Sequence, residues 1–101
     1  HWDPHVVAGY NDNDVMVVRF KGAFPFHMHE GTDDFFLVLK GEMIMDIKDT
    51  SHVVRAGELF IVPKGLTHRP RAEDECHVLL IEPKGEPNTG DPGTAAPKPR
   101  I

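Results

Sequence analysis

Apolar residues between positions 15 and 82 come in short bursts that are separated by Gly, Pro, Asp and Ser. They show no sustained i, i+3, i+4, i+7 spacing, so the pattern predicts strands rather than helices. The predicted strands, each bounded by turn residues, lie at residues 15–21, 25–29, 35–39, 42–48, 52–55, 59–62 and 77–82.

The connections between these strands predict how they pair. Lys40-Gly41-Glu42 and Asp49-Thr50-Ser51 are short enough to form antiparallel hairpins, which would place successive strands side by side. Seven strands at spacings of about 8 to 12 residues favour an all-β sandwich or barrel, and closure of a barrel would remove exposed strand edges.

Two segments suggest what surrounds the predicted barrel. The stretch Phe35-Phe36-Leu37-Val38-Leu39 is apolar on both faces, so its outer face would be covered by a second subunit, or by a loop or the N-terminal segment. From Pro83 onward the chain is rich in Pro, Gly, Thr and Asn and cannot build a core. We therefore predict one domain at residues 1–85 and a C-terminal tail at residues 86–101, lying along the barrel or loose in solvent.

Composition narrows the class of protein. The chain has 101 residues, 40% of them hydrophobic, which suits one soluble domain with one core. Eleven basic residues, scattered singly, stand against sixteen acidic ones, and this balance disfavours a nucleic-acid partner. No apolar run approaches the roughly 20 residues that span a membrane. Cys76 is the only cysteine, so we expect a packed thiol and a cytoplasmic location.

Candidate chemistry is concentrated in histidines. His27 and His29 are two residues apart, and in a strand such positions point to the same face. Asp34 opens the next apolar stretch after a short turn, and its carboxylate can return to that face. Asp33 would point away from it.

A second cluster ends in His68. Pro63 fixes φ and Gly65 permits positive φ, so the segment between them predicts a tight turn that brings His68 onto the start of a strand. Three imidazoles and one carboxylate would form a divalent-metal site with open coordination positions. His5, His52 and His77 lack such placement, and we interpret them as surface or rim residues.

The spacing Gly22-x4-His27-x-His29-x4-Asp34-x6-Gly41, followed by Gly57-x5-Pro63-x-Gly65-x2-His68, resembles the two sequence motifs of the cupin family. The resemblance implies a double-stranded β-helix, the RmlC-like jelly-roll barrel. It also implies one divalent transition metal per chain, Fe, Mn, Ni, Cu or Zn, held by the matched positions His27, His29, Asp34 and His68. Cupins resembling this chain are commonly homodimers.

This sequence departs from the family pattern at three points. Asp34 stands where the family usually has Glu, so its carboxylate is one methylene, about 1–1.5 Å, shorter. Four residues rather than five separate Gly22 from His27, and Ala72 replaces the usual Asn at the end of the second motif.

Two functions agree with such a site. The first is a metal-dependent enzyme acting on a small organic substrate, as a dioxygenase, isomerase or decarboxylase/lyase; Glu42, Glu58 and His52 are candidates for an additional acid or base. The second is a non-catalytic module that binds or senses a small molecule through the metal. Inward positions of neighbouring strands would line the pocket: Phe20, Phe36, Met43, Met45 and Phe60.

Overall fold

The computed structural model describes residues 3–87 and residue 90, and every regular element in this part of the chain is a strand. The strands are β1 (Asp3–Tyr10), β2 (Asn13–Ala23), β3 (Asp34–Lys40), β4 (Glu42–Ile47), β5 (Thr50–Arg55), β6 (Leu59–Val62) and β7 (His68–Pro83). They form one sheet in which β1, β2, β7, β3 and β6 lie side by side in that order, while β4 pairs with β7 and β5. The predicted all-β class is confirmed.

The long strand β7 lies at the centre of the sheet. Its residues 77–81 lie between β2 and β3, with Leu79 opposite both Val17 and Leu37. Its first residues pair instead with β4, with His68 opposite Ile47. The strand β7 therefore pairs with three others: β2, and in succession along its length β4 and β3.

Of the two predicted hairpins, one forms. β4 and β5 pair directly, from Glu42 opposite Arg55 to Ile47 opposite Thr50. The predicted hairpin at Lys40-Gly41-Glu42 is wrong, because β3 and β4 pair with different stretches of β7 rather than with each other. Gly41 makes this turn with φ of 83°, and a Cβ there would lie 2.9 Å from the Glu75 carbonyl oxygen.

The strand count left a sandwich or a closed barrel open, and within the described residues the sheet is not closed. β1 and β6 are the ends of the main row, and β5 is the end of the branch that begins at β4.

The predicted strand boundaries fail in three places. β1 lies outside the predicted strands because Pro4 and Gly9 interrupt its pattern, although an edge strand tolerates proline. Residues 25–29 form no strand, and only an isolated bridge joins His27 to His68. β7 begins nine residues before the predicted start at residue 77, because its polar stretch pairs with β4 and β2.

The hydrophobic core takes up most of the residues predicted to line a pocket. Phe20, Phe36, Met43 and Met45 are all buried within it, and Phe60 is partly buried against it. Cys76 is fully buried in the same core, as predicted.

The outer face of β3 is apolar, as predicted. Phe35 and Leu37 are half-buried and Leu39 is exposed. The neighbouring strands extend this face with four more apolar residues, Leu59, Ile61, Leu79 and Ile81. We call these seven residues the outer apolar face.

Two other predictions concern a membrane-spanning segment and the C-terminal tail. In this part of the chain no helix is long and apolar enough to cross a membrane. The predicted tail at residues 86–101 lies outside the described residues except at residues 86, 87 and 90.

Candidate metal centre

The four predicted ligands come from a loop and from the first residues of two strands. His27 and His29 lie in the segment between β2 and β3, which we call the site loop, residues 24–33. Asp34 begins β3 and His68 begins β7. Asp34 and His68 are therefore placed where a strand meets a connection, so the sheet fixes their backbone positions on one side.

Backbone hydrogen bonds tie the site loop to the turn before β7. The His27 amide donates to the His68 carbonyl at 3.0 Å, and the His68 amide donates to the His27 carbonyl at 2.9 Å. The Gly65 amide donates to the His29 carbonyl at 2.8 Å. Gly65 itself has φ of 80°, the left-handed conformation predicted for this turn. These bonds bring the two histidine-bearing segments together.

The side chains converge on one point. One potential ligand atom from each of the four residues lies within 4.8 Å of the others. The Asp34 Oδ2 atom is 2.8 Å from His68 Nε2, 3.4 Å from His29 Nε2 and 4.0 Å from His27 Nε2. The four side chains are between 1% and 7% exposed. The shorter side chain of Asp34 therefore still reaches the histidines, and the four ligand atoms enclose a buried position.

The opposite nitrogen of each imidazole is held by a hydrogen-bond acceptor. His27 Nδ1 lies 2.9 Å from the Pro25 carbonyl oxygen and His68 Nδ1 lies 2.8 Å from the Leu66 carbonyl oxygen. Because a carbonyl oxygen only accepts, both Nδ1 atoms carry the hydrogen. Each Nε2 atom then faces the common point, where it can bind a metal once any proton that it shares with Asp34 has been released.

His29 uses a different acceptor, the side chain of Glu86. The Glu86 Oε2 atom lies 2.8 Å from His29 Nδ1, across 57 positions of sequence. Sequence reasoning placed Glu86 in the tail and missed this contact. A single carboxylate in a stretch rich in Pro and Gly carries no spacing signal that could have found it.

Burial and hydrogen bonding shift the pKa values of three site residues. Burial lowers the pKa of His27 to about 4, so this ring is neutral at pH 7. Burial acts in the same direction on His29, but hydrogen bonds to Asp34 and Glu86 outweigh it and raise its pKa to about 9. Burial would raise the pKa of Asp34, yet hydrogen bonds from His29 and His68 hold it below its usual range.

This donor set fits a divalent transition metal. Imidazole nitrogens suit Zn, Cu, Fe and Ni, and one carboxylate adds a hard oxygen ligand and a negative charge. Because metal binding displaces the proton from an imidazole, three nitrogens and one oxygen would then leave positions on a five- or six-coordinate metal for another molecule. Three hydrogen-bonded Nδ1 atoms orient the rings for this role.

Other predicted candidates lie elsewhere. Asp33 is exposed, and its Oδ1 accepts a hydrogen bond from the Lys64 amide, in agreement with its predicted outward direction. Glu42, Glu58 and His52 were candidates for an additional acid or base, and the structure brings none of them to the site. The first forms an ion pair with the Arg55 side chain, the second accepts from the Arg55 amide, and the third lies 3.2 Å from the Thr50 hydroxyl.

Comparisons with known proteins agree with this fold. A family model described as a cupin domain matches residues 15–82. Among solved structures, a cupin-2 domain containing protein from Shewanella frigidimarina superposes with a TM-score of 0.82 at 38% identity, covering 83% of this chain and 82% of that one. The double-stranded β-helix implied by the sequence motifs is thereby confirmed.

Curated proteins also match this chain at moderate identity. The uncharacterized protein YdbB of Bacillus subtilis is 34% identical over 79 residues, which cover 77% of this chain and 70% of that protein. A 3-hydroxyanthranilate 3,4-dioxygenase of Brucella anthropi is 31% identical over 84 residues. That match covers 73% of this chain and 46% of the dioxygenase, so the chain spans about half the length of this relative.

Proposed function

The chain belongs to the cupin family, and from its site we propose that it is a metal-dependent enzyme acting on a small organic substrate. One observation carries the proposal: three histidine Nε2 atoms and Asp34 Oδ2 converge in a buried position while every Nδ1 is held from behind. A histidine cluster that served only to pack the core would not need a hydrogen-bond acceptor behind every ring.

In this proposal His27, His29, Asp34 and His68 hold the metal. When bound, the metal supplies a Lewis acid or an oxygen-binding centre. The protein contributes orientation, because the two backbone bonds between His27 and His68 fix the separation of their rings. It also excludes water, because the four side chains are almost completely buried. Asp34 offsets part of the cation's charge in this low-dielectric position.

Oxidation by molecular oxygen is the reaction to test first. Dioxygenation, isomerisation and lysis are all compatible with the site, and the similarity to the Brucella dioxygenase favours the first. We take small carboxylates, aromatic acids and diketones as the substrate class, since such molecules can bind a metal through oxygen.

A non-catalytic metal-dependent binding module is the second candidate. It is favoured by the placement of Glu42, Glu58 and His52 away from the site, which leaves none of these predicted acids or bases to move a proton there. Ligand-dependent thermal stabilisation of the metal-loaded protein without turnover would support this candidate over the enzyme.

Metal content tests the shared premise. Protein purified without nickel chromatography should contain close to one equivalent of a transition metal, measured by elemental analysis, or should take it up on reconstitution. A His27→Ala/His68→Ala variant should contain much less. Equal metal content in the two proteins would contradict the metal centre.

Turnover is tested after the metal is established. Protein loaded with Fe(II) under anaerobic conditions should show substrate-dependent oxygen consumption with at least one member of the substrate class. The double-histidine variant serves as the control for free iron. Oxygen consumption at the same rate in both proteins would assign the reaction to solution chemistry and contradict the enzyme.

We also propose that a second copy of the chain covers the outer apolar face. Leu59 and Ile61 are 55% and 43% exposed there, beside half-buried Phe35 and Leu37. A homodimer buries the same patch on both copies. Light scattering should give twice the 11.3 kDa mass of the chain, and Leu59→Lys should reduce it to one. A wild-type mass of one chain would contradict the dimer.

A further inference from the structure

We infer that Glu86 is a positioning residue for the metal centre, so that the segment following β7 completes the site by orienting His29. This inference rests on the proposed metal centre and adds to it a residue that lies beyond the matched cupin region, which ends at residue 82.

The three histidines differ in what holds their Nδ1 atoms. His27 and His68 are each held by a carbonyl oxygen two residues before them, at Pro25 and Leu66. Those acceptors are part of the same local turn, so they stay in place whenever the turn is formed. His29 is held by Glu86, whose side chain arrives from a separate segment. The orientation of His29 therefore depends on how that segment packs.

A carboxylate is also a stronger partner than a carbonyl. The Glu86 Oε2 atom lies 2.8 Å from His29 Nδ1, and a charge-assisted hydrogen bond of this kind both fixes the ring and makes Nε2 a more basic ligand. The Glu86 side chain is 20% exposed, so solvent screens it only partly. The contact is thus the carboxylate–histidine arrangement that commonly supports a metal ligand.

The segment carrying Glu86 is docked at both of its described ends. The Lys84 amide donates to the Asp12 carbonyl oxygen at 3.0 Å, next to the end of β7. At the other end Gly90 has φ of 76°, and a Cβ built on it would overlap the Met28 carbonyl oxygen. Met28 stands between the two site-loop histidines, so the segment lies directly against the loop that it supports.

Glycine is required at that second contact for two reasons. The left-handed backbone disfavours any L side chain, and the space for a Cβ is already filled by backbone of the site loop. Substituting Gly90 therefore disturbs the docking of the segment while leaving Glu86 itself intact.

Metal affinity tests the inference most directly. Zn²⁺ binding, measured by competition with a chromophoric chelator, should weaken about 10–100-fold in Glu86→Ala, the loss typical for removal of a partner behind a metal-bound histidine. Glu86→Gln should lose less, because its amide oxygen still accepts from Nδ1. Glu30→Ala is the matched control, since Glu30 is exposed, carries the same charge and adjoins His29.

Imidazole NMR separates orientation from a general structural effect. In the Zn²⁺-loaded wild type we expect protected Nδ1–H resonances from His27, His29 and His68. Glu86→Ala should remove the His29 resonance and retain the other two, and Gly90→Ala should lower Zn²⁺ affinity in the same direction.

The outcomes are distinguishable. A wild-type protein that fails to bind Zn²⁺ overturns the metal centre and this inference together. Wild-type binding with unchanged affinity and an unchanged His29 resonance in Glu86→Ala overturns the inference alone. Equal losses in Glu86→Ala and Glu30→Ala overturn it as well, because they indicate a long-range charge effect.

Discussion

The Asp34→Asn substitution is the sharpest test of which atoms would hold the metal. Asparagine preserves the volume of a side chain that is only 6% exposed, and it removes the negative charge. In the structure Oδ2 lies 2.8 Å from His68 Nε2, so the change acts at the centre of the cluster. If Asp34 is a ligand, metal binding should weaken strongly, whereas a three-histidine centre would lose much less.

The expected magnitude follows from linkage. A ligand should contribute at least as much as a supporting partner, whose loss costs about 10–100-fold in affinity, so we work with the upper end of that range, about 100-fold. At a free Zn²⁺ concentration about 1,000 times the wild-type Kd, binding stabilises the folded protein by about 4.1 kcal/mol. The variant at the same concentration gains only about 1.4 kcal/mol. The difference of about 2.7 kcal/mol corresponds to about 11–22 °C in Tm for a domain of this size.

The assay compares the metal-induced rise in Tm rather than Tm itself. Each protein is scanned with Zn²⁺ and with excess chelator, so that any effect of the substitution on folding cancels. His68→Ala is measured beside it as a variant that should lose the rise. If Asp34→Asn keeps the full wild-type rise while His68→Ala loses it, Asp34 is not a ligand and the reasoning from Oδ2 distances is refuted.

Two further predictions concern buried groups away from the metal centre. Hydrogen bonds from Arg71, Ser51 and Arg69 hold the pKa of Asp46 well below its usual range, so its stabilisation is present above pH about 4 and is lost as the pH falls further. Asp46→Asn should lower the unfolding free energy by only about 1 kcal/mol at pH 7, because the partly exposed arginines are screened by solvent. Urea titrations should show this difference shrinking at pH 3, and a constant difference would contradict the prediction. Burial raises the pKa of the Cys76 thiol to about 11. Native protein at pH 7.5 should therefore react with a thiol reagent only as fast as it unfolds, and rapid labelling would refute the packed position.

The positions of Asp34 and His68 could be predicted because the signals for them are local. A tight turn at Pro63 to Gly65 ahead of His68, and an acidic residue at the start of an apolar strand, are features that short stretches of sequence determine. The structure places Asp34 and His68 at the first residues of β3 and β7, in agreement with that reasoning. Metal coordination by them stays a prediction.

His27 and His29 lie together as predicted, but the secondary structure predicted for them is wrong. The prediction assumed a strand, in which positions i and i+2 share a face, whereas residues 25–29 form none. Pro25 lacks an amide hydrogen and is therefore a poor ladder residue. The two rings nevertheless lie with centroids 5.2 Å apart, because the bridge to His68 and the bond to Gly65 hold the loop.

The features that sequence reasoning missed all depend on contacts distant in the chain. The first half of β7 is polar and gives no strand pattern, yet it is a strand because β4 lies beside it. The three-residue connection between β3 and β4 likewise does not indicate that both strands pair with β7 and not with each other. Local propensity cannot report which partner a segment will find.

The contacts of the site loop indicate which part of the candidate metal centre depends on a separate segment of the chain. A strand would have fixed both histidines through a continuous ladder, but this loop is held by its bridge to His68, by the bond from Gly65 to His29 and by the segment that carries Glu86. The first two lie within the matched cupin region, and the third lies outside it. Because binding free energies are reciprocal, a segment that improves metal affinity must itself be held more firmly when metal is bound. Hydrogen exchange at Lys84 and Glu86 should therefore slow on Zn²⁺ loading in the wild type and much less in Glu86→Ala, and equal slowing in both would break the proposed link.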